Sequence, residues 1–151
     1  MAKLRILKFG DPTLRKKSRP VEEITPRILQ LLDDMAETMR AANGVGLAAP
    51  QVGVLRQVVV IEVEEGELIE LINPKILSYA GDQEAVEGCL SFPGKFGITH
   101  RPKYVVVQAM NREGKTVEIR GEDLLAQAIC HEVDHLDGKL FTDVVDHMIE
   151  D

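Results

Sequence analysis

Hydrophobic positions follow two rhythms along the chain. Ile28, Leu31, Leu32, Met35, Met39 and Ala42 recur every three or four residues, which places them on one face of a helix. Thr25-Pro26 ahead of them reads as an N-cap and the first helical residue. Asn43-Gly44 behind them tolerates the left-handed backbone that closes a helix. The middle of the chain is strand-like. "QVVVIEV" (57–63) and "YVVVQAM" (104–110) are β-branched runs, and "ELIELINPKIL" and "TVEIRG" are shorter candidates. Gly66, Gly81 and "NREGK" mark turns between them. A second helix is predicted from about 122 to 137, stopping at Gly138. The segment "GDPTLRKKSRPVEEITP", rich in Pro and charge, reads as an extended arm over the surface. Helix, strands with hairpin-length connections, then helix predicts an α+β fold with a mostly antiparallel sheet. With 151 residues and no repeat or linker, one domain over 1–151 is expected.

Composition narrows the function classes. Hydrophobic residues at 44% and charged residues at 28% are ordinary for a globular protein that needs no disulfide staple. A net charge of −7, read as offset by no basic block, argues against a direct nucleic-acid role and against docking on an anionic membrane. No run is long enough for a signal peptide or a membrane span. Cys89 and Cys130 are too few for a disulfide framework, so the cytoplasm is the expected location.

The second helix carries "AICHEVDHLDG". His131 and His135, at i and i+4, leave the same helix face and can share one divalent ion. Glu132 lies about 100° around the helix, close enough to reach water on the ion without ligating it. This HExxH arrangement offers two neutral nitrogen ligands and a general base. Leu124 and Ala128 fall on the same stripe, which makes it more like a pocket wall than a solvated face. The bland alternative is a helix that happens to carry two histidines above plain core.

A catalytic ion needs a third protein ligand. An extended HExxHxxGxxH motif fails here, because position 141 is Phe141. Downstream, Glu150 is a poor support, and Asp134 or Asp137 on the same short helix would strain the geometry. His100 and His147 remain open, and the best candidate is Cys89 in "EGCLSFPG". A thiolate beside two imidazoles leaves a divalent site with net charge +1, which still lowers the pKa of bound water. The alternative for Cys89 is a buried structural cysteine. "GVGLAAPQVG", after the first helix, lacks the Lys of a phosphate loop. Its glycines allow another backbone alongside, and Gln51 offers an uncharged N–H donor for a developing oxyanion, or else lies at the surface of a tight turn.

Taken together, "GVGLAAPQ", "EGCLSFP" and "HEVDHLDG", in that order, resemble the peptide deformylase family, and "ILKFGDPTLRKKSRPV" is similar to its opening. The resemblance spans nearly the whole chain. It implies antiparallel sheets packed around a central C-terminal HExxH helix, with one N-terminal helix. It also implies Cys89, His131 and His135 as metal ligands and Glu132 as acid/base. Gln51 and the Leu90 N–H would stabilise the oxyanion, and Gly46 would hydrogen-bond a substrate lying in strand fashion. Val45, Leu124 and Ala128 would line the pocket for the methionine side chain. The implied ion is Fe²⁺, with Zn²⁺, Ni²⁺ or Co²⁺ able to replace it. The implied substrate is the N-formylmethionyl end of nascent peptides, which lose formate, and transient ribosome contact is an implied partner relation. Two departures stand out. Many members continue into a long C-terminal helix that in some docks on the ribosome, and "GKFGITHR" lacks an arginine that some members point at the substrate. Lys95 or Arg101 is the candidate to replace it.

Two rival readings remain. A small metalloendopeptidase would share HExxH and cut unformylated protein internally. A structural zinc module would close the site with a fourth ligand, for which Cys130 is the obvious candidate.

Overall fold

The computed structural model describes residues 3–149. Its elements in chain order are α1 (Pro26–Ala41), β1 (Gly46–Ala48), β2 (Val58–Ile61), β3 (Ile69–Ala80), β4 (Gln83–Cys89), β5 (Phe92–Arg101), β6 (Tyr104–Met110), β7 (Thr116–Glu122), α2 (Leu124–Leu136) and β8 (Val145–Met148). Short 3₁₀ turns lie at Pro12–Arg15, Ala49–Val52 and Phe141–Asp143. One sheet has the order β1-β2-β3-β6-β7 and the other β4-β5-β8, and all their pairings are antiparallel. The fold class expected above is the one observed.

The N-terminal helix forms where its grammar places it. The Thr25 hydroxyl accepts from the Ile28 N–H at 3.3 Å, Pro26 opens the first turn, and Asn43 beyond the end sits at φ 57°. Its apolar face, Leu32, Met35 and Met39, packs on Leu47, Val58, Val60 and Ile72. The opposite face of β2, Val59 and Ile61, packs with Leu71, Val105 and Val107 against Ala126, Ala128 and Ile129 of α2. β2 is therefore buried on both faces, which is why its sequence is a continuous apolar run rather than an alternation. Each buried Leu, Ile or Met contributes about 1.5–3 kcal/mol. The two layers together hold α2 in the middle of the molecule.

The structure moves two of the expected boundaries and adds a hairpin. β3 runs past Leu77 to Ala80, its last residues being an exposed extension paired to β6. β7 takes Glu122, so α2 starts at Leu124. Around Cys89, a segment given no element from the sequence, the chain forms a hairpin: β4 ends at Cys89, turns through Leu90-Ser91 and returns as β5, with a register irregularity at Gly88/Cys89. That irregularity re-aims the side chain at the strand end.

Candidate active site

α2 delivers both histidines to one spot. Their Nε2 atoms lie 3.2 Å apart, and His135 Nε2 is 3.3 Å from Cys89 Sγ, brought in by the β4–β5 hairpin. One donor atom from each of Cys89, His131 and His135 lies within 4.8 Å of the others. Three soft or borderline donors turned toward one point, with both imidazoles buried, fit a divalent cation. Beside this centre the buried Glu132 Oε1 finds no hydrogen-bond partner among the described residues, as expected of a carboxylate that faces something bound there. His100 and His147 are not in this group, and they lie beside Asp82 and Asp146 on the surface. Cys130 is not in it either. Burial pushes its thiol up to about 11, which keeps it protonated. Glu150 lies outside the described residues.

Glu132 is buried beside this centre, its Oε2 4.0 Å from His131 Nε2. Burial raises its pKa to about 7, against the pull of His131. A Cβ on Gly46 would stand 2.6 Å from Glu132 Oε2, so the carboxylate packs where only glycine leaves room. Gln51 is buried in the 3₁₀ turn after β1. The Ala48 N–H donates to its Oε1 at 2.9 Å, so the amide oxygen is fixed and the nitrogen must face the other way. There Nε2 donates to Ser91 Oγ at 3.1 Å, with Cys89 Sγ at 3.5 Å. Gln51 is therefore an inward donor and not a surface residue.

A cleft of about 520 Å³ opens onto Cys89, His131 and Glu132, with Gln51 and His135 buried behind its wall. Val45, Gly46, Leu90, Leu124 and Ala128 line it together with Cys89, His131 and Glu132. Gly46 belongs to an edge strand of one sheet, and Val86–Gly88 to an edge strand of the other. Both edges can pair with an extended peptide laid between them.

Sequence reading missed a buried ionic network behind His131. Arg101 Nε and Nη2 donate to the two oxygens of Glu87 at 3.0 and 2.7 Å, and Nη1 donates to Asp134 Oδ2 at 2.8 Å. Glu87 Oε2 in turn lies 3.4 Å from His131 Nδ1. Burial alone would raise the Glu87 pKa, but the His131 and Arg101 contacts hold it below the usual carboxylate range. Arg101 thus faces the interior and does not replace the substrate-facing arginine, whereas Lys95 does line the cleft. Only the Glu87 that precedes Gly88-Cys89 hinted at this network.

A profile of the polypeptide deformylase family matches residues 3–150. The peptide deformylase of Acetivibrio thermocellus is 61% identical over 142 residues, covering 94% of this chain and 83% of that one. A crystal structure of a peptide deformylase from Legionella pneumophila superposes with a TM-score of 0.93 at 45% identity, covering 96% of this chain and 87% of that one. The peptide deformylase structure from Thermotoga maritima gives a TM-score of 0.93 at 39% identity, with 97% and 99% covered.

Proposed function

Since this chain belongs to the polypeptide deformylase family, we propose that the cleft at its central helix is the active site and that its residues divide the work as follows. The activity is that of the family: metal-dependent hydrolysis that removes the formyl group from the N-terminal formylmethionine of newly made polypeptides and releases formate. Cys89, His131 and His135 hold one divalent cation, Fe²⁺ in the cell, with Zn²⁺, Ni²⁺ or Co²⁺ able to take its place. When bound, the ion supplies Lewis acidity toward the formyl oxygen and acidifies water. Glu132 takes the proton of the attacking water and returns it to the leaving nitrogen, a task suited to a buried carboxylate that stands beside the ligands without being one of them. Gln51 Nε2 and the Leu90 N–H meet the oxyanion. Gly46 pairs with the peptide backbone, and Val45, Leu124 and Ala128 receive the methionine side chain.

The observation that carries this reading is the convergence of one sulfur and two imidazole nitrogens beside the buried Glu132, at the wall of a cleft between two sheet edges. The described residues offer no fourth protein ligand in that group, which favours an open catalytic ion over a closed structural one. No helix among the described residues is long and apolar enough to cross a membrane. A cytoplasmic location, transient contact with the ribosome and action as a single catalytic domain complete the proposal.

Anaerobic purification, metal analysis and a formate-release assay on formyl-Met-Ala-Ser test it. About one metal per chain and steady formate release are expected, with no internal cleavage of an unformylated protein. Selectivity for formyl is expected to be steric: the formyl carbon carries only hydrogen, whereas an acetyl group must fit a methyl beside the buried histidines and Glu132. Acetyl-Met-Ala-Ser should therefore react far more slowly, and equal rates would defeat the steric account. Gln51→Leu should lower kcat about 10²–10³-fold, as for loss of one oxyanion donor, while metal content is retained.

A further inference from the structure

The arm ahead of α1 grips the site from behind. Along it Ile6 and Lys8 line the cleft, so the alternate residues Leu7 and Phe9 face away from it. Leu7 N–H donates to the Gln51 carbonyl at 2.7 Å, and Phe9 N–H donates to the Ser91 carbonyl at 2.9 Å. Gln51 and Ser91 are the two residues whose side chains bond each other at 3.1 Å. A closed circuit results: Leu7 to Gln51, Gln51 to Ser91, Ser91 to Phe9, and back along two peptide units of the arm. The circuit is anchored by rings. Phe9 stacks on Phe92 with centroids 4.5 Å apart and planes 18° apart, and both lie about the buried Phe141 at 5.9 and 6.1 Å. Phe141 in turn lies 6.2 Å from the His131 ring, stacked at 30°. Phe9 and Phe141 thus sit behind the cleft wall, to which Phe92 belongs.

We propose that Phe9 is a positioning residue for the reaction: through the arm backbone and Ser91 it fixes the aim of the Gln51 carboxamide. This rests on the reading of Gln51 as an oxyanion donor. A carboxamide is useful there only in one of its two flipped orientations, because the reversed group would set an oxygen against the developing charge. Ala48 holds the oxygen end, and Ser91 Oγ holds the nitrogen end. Ser91 is fully buried, and its carbonyl is tied to Phe9, whose stacked ring keeps the arm seated. Removing the ring loosens the Ser91 side of this hold; Phe9 itself contributes no atom to the cleft wall, where Phe92, on which it stacks, keeps its own ring. Small losses of alignment at a reacting centre cost up to about 10²-fold in rate.

A double-mutant cycle in kcat tests the proposal, using Phe9→Ala, Gln51→Leu and the pair on the metal-loaded protein with formyl-Met-Ala-Ser. Phe9→Ala is expected to lower kcat about tenfold, with KM within about twofold. The double variant should be no slower than Gln51→Leu alone, because both changes act on one group. The Gln51 side-chain NH₂ signals in a ¹⁵N-resolved NMR spectrum should shift and broaden in Phe9→Ala. Phe9→Tyr, which keeps the ring, should restore both kcat and the spectrum. If Phe9→Ala does not fold, Phe9→Leu serves in the same cycle. An unchanged kcat, or losses that multiply in the double variant, overturns the positioning role. Absence of formate release by the unmodified protein would instead strike the proposed active site itself, so the two failures are distinct.

Discussion

Replacing Glu132 with alanine is expected to leave the metal bound and to lower kcat by about 10²–10⁴-fold, the usual contribution of a positioned acid/base. The carboxylate holds no place among the three converging donors, so its loss leaves the ion site intact. It is nonetheless built into the cleft. Gly46 leaves space for it, its Oε1 finds no donor among the described residues, and burial raises its pKa. A carboxyl group poised there can take a proton and give it back near neutral pH. Glu132→Gln, nearly the same in shape, should fail as badly, because it fills the space without exchanging a proton. Metal analysis and single-turnover formate release on the same sample check the prediction. Turnover retained in either variant would mean that another group moves the proton.

Local grammar explains how much of this was legible. α1 was readable because its cap, its apolar stripe and its stop all lie within twenty residues. The HExxH pair was readable because i and i+4 share a face whatever else the chain does. The β4–β5 hairpin was not readable. Its residues "FPGKFG" hold two glycines, a proline and a lysine, and the strand is exposed along that stretch, so no alternation marks it. Cys89 could be singled out by type and context, but its distance from His135, 46 positions along the chain, is set by tertiary structure alone. The same holds for the arm. Phe9 and Phe141 stand 132 positions apart and meet only because the chain closes on itself. The choice between Lys95 and Arg101 is not legible for a related reason. The strand neighbours of Arg101 look like surface, and its partners Glu87 and Asp134 lie 14 and 33 positions away.

That network gives the second large effect. Arg101→Met should lower the stability of the metal-free protein by about 3–5 kcal/mol, the usual cost of removing one partner from a buried ion pair. Glu87 is 1% exposed and, among the described residues, would keep a charge with no counterion at bonding distance other than His131. The same variant should weaken Zn²⁺ binding about 10–100-fold, because Arg101 bonds both oxygens of Glu87 and so aims Oε2 at His131 Nδ1, which leaves Nε2 free to ligate. Charge alone is not sufficient. Arg101→Lys keeps a cation but cannot bond both Glu87 oxygens and Asp134 from one planar fork, so it should recover only part of either loss. The pair Arg101→Met with Glu87→Gln should be more stable than Arg101→Met alone, since no buried charge is left behind, yet it should not recover the Zn²⁺ affinity. Urea unfolding and chelator competition separate the two readings. A stability loss under about 1 kcal/mol in Arg101→Met would mean that water, not protein, already satisfies Glu87. Full Zn²⁺ affinity in the pair would mean that His131 is held by its packing against Phe141 and not by the carboxylate behind it.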